Sequence, residues 1–173
     1  MDTHTKTMVT IKAWLSIGST YTYLTALRLR NVIEASGIKL DIRPISIRQI
    51  MKNMDNIPFP SSKKNKVDYM WRDIQRRAEF YSLPVPHVPA AYPLKEFDRA
   101  NLVGIVMERD GKYLEYLEET YRAWFLDGLE AGSDQNLENV SRIMGVTLQE
   151  VLDDASSNEI LEIYGRNTAD AQT

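Results

Sequence analysis

The segment from Val9 to Leu24 constrains the fold most, because its hydrophobic period changes there from that of a strand to that of a helix. Through Leu15 the odd-numbered positions are apolar, which is typical of a strand with one buried face. From Tyr23 onward the apolar residues recur at the spacing of a helix. Ser19 is therefore predicted in the turn before the helix, where unpaired backbone N–H groups and the positive end of the helix dipole stabilise an anion.

A second strand is predicted after the first helix. Ser36 and Gly37 end that helix, and the residues from Lys39 to Arg43 alternate again before Pro44. Strand, helix and strand form a βαβ unit, whose strands are expected to be parallel and whose crossover is expected to be right-handed. A parallel sheet of two strands is small for a finished domain. The α/β fold is therefore expected to have a sheet that is incomplete at the C-terminus.

The rest of the chain predicts helices and loops. A loop is predicted from Asn53 to Ser62, because it contains Pro58 and Pro60 and proline does not fit inside a helix. Helices are predicted at Lys64–Tyr81, Lys95–Arg109, Tyr113–Phe125 and Asn136–Met144, and capping boxes at Thr147/Glu150 and Ser156/Glu159 predict two more. In this outline residues 1–48 form the βαβ unit, residues 49–157 form a helical insertion, and residues 158–173 begin a helix that returns to the βαβ unit.

Composition and charge argue against several classes of function. The 173 residues carry a formal net charge of -3, which gives no electrostatic reason to expect a nucleic-acid partner. No apolar run reaches the roughly 20 residues that a membrane span needs, so no membrane association is expected. The N-terminus is polar, unlike a signal peptide, and the sequence has no cysteine. The cytoplasm is therefore the predicted compartment.

Ser19 admits two interpretations. A serine just before a helix is most often an N-cap, which stabilises the helix and takes no part in chemistry. A Ser-His-acid triad would need His4, in the N-terminal tail, or His87, among prolines, and neither position favours one. Two histidines and no cysteine also argue against a transition-metal site. Thiol chemistry at this turn would need a thiol that a ligand brings.

The other candidate residues have structural interpretations as well. Tyr21 and Tyr92 lie near predicted turns, where most tyrosines pack against neighbours and make one hydrogen bond. The lysines at positions 63, 64 and 66 could clamp a carboxylate, although a lysine run at the start of a helix is usually solvated surface.

Several motifs occur in an order and spacing that point to one group of enzymes. Residues 19–24 read Ser-Thr-Tyr-Thr-Tyr-Leu, and Asn56 precedes Ile57-Pro58. Residues 68–76 read Asp-Tyr-x-x-x-Asp-Ile-x-Arg, and residues 82–84 read Ser-Leu-Pro. Residues 89–93 read Pro-Ala-Ala-Tyr-Pro, and residues 121–125 read Tyr-Arg-Ala-Trp-Phe. Together these motifs resemble the 2-hydroxychromene-2-carboxylate isomerases and the kappa-class glutathione transferases. Both are thioredoxin-like families with a helical domain inserted after the first βαβ unit.

The resemblance implies a glutathione-dependent isomerase, usually a homodimer, that acts on a small aromatic-ring degradation intermediate. It assigns Ser19 to the sulfur of glutathione as the catalytic group, and Asn56 and Lys64 to binding of the tripeptide. It assigns Tyr92 and Tyr21 to the substrate. A kappa-class-like glutathione transferase or peroxidase is one alternative, and a non-catalytic fragment or binding module is another.

The sequence departs from these families in two ways. Thr20 stands where the families have a proline, which is a mild change because the serine and the tyrosines around it remain. The families also continue into a cis-proline turn, two antiparallel strands and a last helix, and that turn pairs with the backbone of glutathione. The 173 residues supply no such continuation, so half of the glutathione site is expected to be missing.

Overall fold

A parallel two-stranded sheet starts the fold in the computed structural model, which describes residues 9–56 and 61–173. The two strands and the helix between them are β1 (Thr10–Leu15), α1 (Thr22–Ser36) and β2 (Lys39–Pro44). The strands pair in parallel, from Thr10 opposite Lys39 to Leu15 opposite Pro44. This confirms the predicted βαβ unit to within one residue at each strand.

Helices make up most of the remaining chain. They are α2 (Ile47–Asn53), α3 (Lys64–Phe80), α4 (Phe97–Arg109), α5 (Tyr113–Phe125), α6 (Asp134–Met144), α7 (Leu148–Ala155) and α8 (Asn158–Asp170), and a 3-10 turn (Ser61–Lys63) precedes α3. The predicted bounds of α5 are those observed, and the predicted bounds of α3, α4 and α6 differ by one or two residues. Pro58 and Pro60 of the predicted loop lie outside the described residues.

Three local predictions were wrong. The sequence predicts no helix after β2, whereas α2 forms there and the Ser46 hydroxyl caps it by accepting a hydrogen bond from the backbone N–H of Gln49. The side chain of Thr147 makes no capping hydrogen bond at the start of α7. The cap of α8 is Ser157, not Ser156, because the Ser157 hydroxyl accepts the hydrogen bond from the backbone N–H of Ile160.

Helix α5 lies at the centre of the hydrophobic core. It packs against α1, α4 and α6, and its Tyr121, Trp124 and Phe125 side chains are buried. The ring of Phe125 stacks on Tyr23 of α1 at a centroid distance of 4.7 Å and meets Trp71 of α3 edge-on at 5.8 Å. One continuous cluster of buried side chains therefore joins the βαβ unit to the helical part.

Helix α8 binds to the end of β2. The Asn167 side chain donates a hydrogen bond to the carbonyl oxygen of Pro44 at 3.2 Å, and the hydroxyl of Thr168 accepts one from the backbone N–H of Ser46 at 3.0 Å. Arg43 adds an ion pair with Asp170 at 3.2 Å. These contacts fix the place where β2 ends and α2 begins.

The outer edge of β1 has no neighbouring strand within residues 9–56 and 61–173. Ile11 and Trp14 on this strand are 46% and 40% exposed. Whether the sheet is incomplete, as the sequence analysis expects, remains a prediction. Searching the same residues, we find no helix that combines the length and the apolar character needed to cross a bilayer.

Candidate functional site

A cavity of about 390 Å³ opens beside the turn between β1 and α1. Residues from four parts of the chain line it. They are residues 18–21 of the turn; Ile47, Arg48, Met51 and Asn56 in and after α2; Lys63, Lys66 and Met70 in and just before α3; and Tyr92, Pro93, Leu94 and Phe97 in and just before α4. This volume falls within the range of about 300–1,000 Å³ that is usual for small-molecule sites. The cavity brings together Ser19, Tyr21, Asn56 and Tyr92, four of the five residues that the resemblance assigns to a site.

Ser19 does not cap α1, so the N-cap interpretation is wrong. The residue at the cap position is Tyr21, and no side chain makes a capping hydrogen bond there. Instead, the backbone carbonyl oxygens of Ser19 and Thr20 accept hydrogen bonds from the N–H groups of Thr22 and Tyr23, each at 3.2 Å. The hydroxyl of Ser19 has no hydrogen-bond partner in the described part of the chain, and the residue lines the cavity.

Two buried side chains of the helical part hold the turn in place. Asn101 of α4 accepts a hydrogen bond from the Ile17 N–H at 2.7 Å and donates one to the Ile17 carbonyl oxygen at 2.9 Å. Tyr121 of α5 donates its hydroxyl proton to the Ser19 carbonyl oxygen at 2.7 Å and accepts from the Gly18 N–H at 3.4 Å. Burial raises the pKa of Tyr121, so this hydroxyl stays protonated and remains a donor.

Gly18 fits this turn because it lacks a side chain. Its φ is 131°, which side chains rarely allow, and a Cβ there would lie 2.5 Å from Cε2 of Phe97. The Phe97 ring therefore packs directly on the turn and forms one wall of the cavity.

Tyr21 lines the cavity and is bound to α3. Its hydroxyl donates a hydrogen bond to Oδ2 of Asp73 at 2.9 Å, and the same oxygen accepts from Nε of Arg77 at 2.9 Å. Partial burial and this hydrogen bond raise the pKa of Tyr21 to about 12. The hydrogen bonds from Tyr21 and Arg77 lower the pKa of Asp73. At neutral pH Tyr21 is therefore a neutral phenol and Asp73 a carboxylate.

Tyr92 and Asn56 face the cavity from opposite segments. The ring of Tyr92 packs edge-on against Trp71 at 6.3 Å, and partial burial raises the pKa of its hydroxyl. Asn56 is exposed, and its backbone N–H donates to the Met51 carbonyl oxygen at 2.9 Å, which fixes the residue after α2. The amide of the Asn56 side chain can offer a hydrogen bond to a molecule in the cavity.

Lys64 does not line the cavity with the other four predicted residues. Its ammonium group pairs with Asp68 at 2.5 Å, one turn further along α3, and its side chain is 78% exposed. The lysines on either side of it in the predicted cluster, Lys63 and Lys66, line the cavity instead. The run of lysines thus contributes to the site, through residues other than the one that the resemblance selects.

Arg48 adds a third positive charge that the sequence analysis missed. Its Nη1 donates a hydrogen bond to the Leu94 carbonyl oxygen at 3.3 Å, and its guanidinium carbon lies 5.5 Å from the centre of the Phe97 ring. Among the described residues, no aspartate or glutamate lines this cavity. Arg48, Lys63 and Lys66 therefore make its potential positive, which favours an anionic ligand.

Among the described residues, no histidine lines the cavity that contains Ser19. His87 is exposed and does not line the cavity, and its backbone N–H donates to the Phe125 carbonyl oxygen at 2.8 Å. His4 lies outside the described residues. Within the part of the chain that the structure describes, no group of three or more histidine, cysteine, aspartate or glutamate side chains could hold a metal ion.

The arrangement suits the binding of an anionic ligand. The Ser19 hydroxyl is available as a donor, the N-terminal turn of α1 lies behind it, and three cationic side chains line the same cavity.

Comparison with known proteins agrees with this geometry at the level of fold. Residues 10–173 match the DSBA-like thioredoxin domain family. Among solved structures, a 2-hydroxychromene-2-carboxylate isomerase superposes with a TM-score of 0.79 and 22% identity, over 94% of this chain and 79% of that one. A Nitrosomonas europaea protein described as a candidate protein disulfide isomerase superposes with a TM-score of 0.70 and 12% identity, over 95% of this chain and 78% of that one. A search of curated protein sequences found no match.

Proposed function

Because the chain belongs to the DSBA-like thioredoxin domain family, we propose that it is a glutathione-dependent isomerase of the 2-hydroxychromene-2-carboxylate type. The observation that carries the proposal is the hydroxyl of Ser19, which has no hydrogen-bond partner among residues 9–56 and 61–173, in a cavity lined by three cations. The likeness in fold to a 2-hydroxychromene-2-carboxylate isomerase supports the reaction class. The substrate would be a small aromatic carboxylate.

The absence of cysteine from these 173 residues supports a thiol that a ligand such as glutathione supplies. Dithiol chemistry, which a disulfide isomerase performs with its own cysteines, has no side chain to use in these 173 residues. A thiol has a pKa near 8.5 in solution, so a site must favour the thiolate for it to form at neutral pH. Donation from the Ser19 hydroxyl, together with the N-terminus of α1, would supply that stabilisation.

The other cavity residues would bind and orient. Arg48, Lys63 and Lys66 would pair with carboxylates of glutathione and substrate, and the Asn56 amide would bond to the peptide. Tyr92 and Tyr21 would place the aromatic ring, with Tyr21 acting through its ring because its hydroxyl is bound to Asp73. Bound glutathione would supply a thiolate that adds to a conjugated carbon of the substrate, so that the former double bond becomes a single bond and can rotate, and elimination would then restore the double bond and release the thiolate. Ser19 binds sulfur in this scheme and is not a nucleophile.

The first experiment compares two serine variants in glutathione-dependent isomerisation of 2-hydroxychromene-2-carboxylate. Ser19→Ala is expected to lower the turnover rate about a hundredfold, because in other enzymes the loss of one hydrogen-bond donor to a charged reacting atom has an effect of that size. It should leave the free energy of unfolding nearly unchanged, because Ser19 caps no helix. Ser133→Ala is the matched control, because the Ser133 hydroxyl caps α6 away from the cavity. That variant should lose about 0.5–2 kcal/mol of stability and keep its activity.

Two further readouts separate the alternatives. Glutathione should raise the melting temperature of the protein, and an analogue with serine in place of cysteine should raise it less. A ligand that binds only the folded protein adds about 2.7 kcal/mol to its free energy of unfolding at a hundredfold excess over the Kd. The absence of any shift would favour a non-catalytic binding module. Net consumption of glutathione during turnover would favour a kappa-class-like transferase or peroxidase.

A further inference from the structure

The turn that carries Ser19 is held by its backbone from inside the core. Tyr121 and Asn101, which hold it, are fully buried and lie on two different helices. They reach residues that are 102 and 84 positions earlier in the chain. The turn therefore takes its shape from the helical part and not from its own sequence alone.

The hydrogen bonds from Tyr121 and Asn101 to the turn, called the clamp below, fix two of its peptide groups. In the Ile17–Gly18 peptide, the carbonyl oxygen accepts from Asn101 and the N–H donates to Tyr121, so both ends are bound. In the Ser19–Thr20 peptide, the Tyr121 hydroxyl binds the carbonyl oxygen. A trans peptide is planar, with its C=O and N–H pointing in opposite directions. Holding the Ser19 carbonyl towards the core thus turns the Thr20 N–H away from it.

Packing alone does not account for the hydroxyl of Tyr121. The ring lies 5.4 Å from the Trp124 ring and 5.8 Å from the Phe125 ring, in surroundings that a phenylalanine would fill equally well. The hydroxyl group would need to be desolvated in this core, which is unfavourable unless it is hydrogen-bonded. The hydroxyl donates to the Ser19 carbonyl oxygen, accepts from the Gly18 N–H, and also interacts with the side chain of Thr22 in the first turn of α1, so all of these bonds go to residues of the turn and the helix start.

We propose that Tyr121 is a positioning residue for the anion site, because its hydroxyl holds the Ser19 carbonyl in the core and so keeps the Ser19 hydroxyl and the Thr20 N–H directed at the ligand's sulfur. The inference rests on the proposed function, since it assumes that an anionic sulfur binds at Ser19. Tyr121 touches neither glutathione nor substrate in this scheme.

The test uses a thiol placed at the site itself, so that no substrate is needed. Ser19→Cys is expected to give a thiol with a pKa clearly below 8.5, measured by the pH dependence of its alkylation rate. Adding Tyr121→Phe should raise that pKa towards 8.5 by about one unit, which corresponds to a tenfold loss of thiolate stabilisation. Tyr116→Phe is the matched control. Tyr116 is also buried on α5, and its hydroxyl donates to the Ala100 carbonyl oxygen at 2.8 Å.

Each outcome decides one of the two claims. Both tyrosine variants are expected to unfold at lower urea concentrations, but only Tyr121→Phe should change the thiol pKa. A low thiol pKa that Tyr121→Phe leaves unchanged would overturn the positioning role and leave the proposed function standing. An ordinary pKa in Ser19→Cys alone would overturn the sulfur site on which both claims rest. Equal pKa changes in Tyr121→Phe and Tyr116→Phe would show a general loosening of the core and contradict the inference.

Discussion

Gly18 is the position at which the smallest substitution should disturb the site most. Gly18→Ala would impose a disfavoured backbone angle and push a methyl group against Phe97 at 2.5 Å. We expect a loss of about 2–4 kcal/mol in the free energy of unfolding, since backbone strain and overpacking each cost about 1–3 kcal/mol. Urea denaturation measures this loss.

Gly37 offers a control for the backbone contribution. Gly37 also has a positive φ, 65°, but no atom lies within 4 Å of the place where its Cβ would be. Gly37→Ala should therefore cost about 1–2 kcal/mol, from the left-handed backbone alone. Equal losses at the two glycines would mean that Phe97 moves aside freely and does not fix the turn.

Single residues of the site differ in how far the sequence could reveal them. Ser19 was found because a change of hydrophobic period marks the turn around it. Asn101 was missed, although a polar residue in an otherwise apolar stretch of α4 is a signal for a buried hydrogen bond. The roles of Tyr121 and Arg48 depend on contacts with Ser19 and Leu94 that no local pattern contains.

Helices α1 and α5 are joined by a nearly buried carboxylate. Glu118 of α5, whose side chain is 11% exposed, pairs with Arg30 of α1 at 2.7 Å and with Arg122 at 2.8 Å. Glu118→Gln should lower the free energy of unfolding by about 1–2 kcal/mol. Hydrogen bonds to charged groups contribute about 1.5–3 kcal/mol, and the solvent that reaches both arginines reduces this value.

An exposed ion pair serves as the comparison for Glu118. Asp134 binds Arg99 at 2.6 Å, but its side chain is 76% exposed. Asp134→Asn should cost less than about 1 kcal/mol in the same urea titration. If Asp134→Asn destabilises the protein as much as Glu118→Gln does, the burial of the carboxylate has no part in joining the helices.

The contact between the α1 turn and α3 should make stability depend on pH. Tyr21 and Arg77 lower the pKa of Asp73 in the folded protein below its ordinary value of 3.8. Folding therefore favours the ionised carboxylate, and this contribution is present above pH 3.8 and is lost as pH falls through the lower, folded-state pKa. Asp73→Asn should be less stable than the parent at pH 7, and the difference should shrink in acid. A difference that is constant across this acid range would contradict the assignment.

Elements with a clear period were predicted well, and short ones were not. Helices α3 and α5 have apolar faces over several turns; the predicted bounds of α5 are those observed, and those of α3 differ by one residue. Helix α2 has seven residues, too few to show a period, and the Ser46-x-x-Gln49 pattern was its one usable signal. Ser156 and Ser157 both precede α8, and local sequence could not decide which of them accepts the capping hydrogen bond.

The positive cavity stands in a protein whose net charge is negative. With a formal charge of -3 overall, attraction of an anion depends on Arg48, Lys63 and Lys66 at short range. We expect glutathione binding to weaken as salt is raised, because exposed charges are screened beyond about 8 Å at physiological ionic strength. Isothermal titration at low and high salt measures this dependence. A Kd that salt leaves unchanged would argue that contacts other than these charges hold the ligand.

Two lysines of α3 differ in position, because Lys66 lines the cavity and Lys64 does not. Lys66→Gln should raise the Kd for glutathione about two- to fivefold, the effect of an exposed ion pair of about 0.5–1 kcal/mol. Lys64→Gln removes the same charge from a side chain that pairs with Asp68 and does not line the cavity, so it should leave the Kd nearly unchanged. The reverse result would restore Lys64 as the binding residue.

The homodimer expected from the resemblance remains a prediction that sedimentation would test.

The distance along the chain between the turn and its clamp affects how the protein is made. The ribosome releases the β1–α1 turn long before Tyr121, which follows Ser19 by 102 residues. At about 5–20 residues per second, the nascent chain waits roughly 5–20 s before the hydroxyl that holds this turn has been synthesised. The contacts of α8 with the end of β2 come later still, because Asn167 and Asp170 follow Tyr121 in the chain. The turn that carries Ser19 therefore cannot acquire its final shape until synthesis has passed Tyr121.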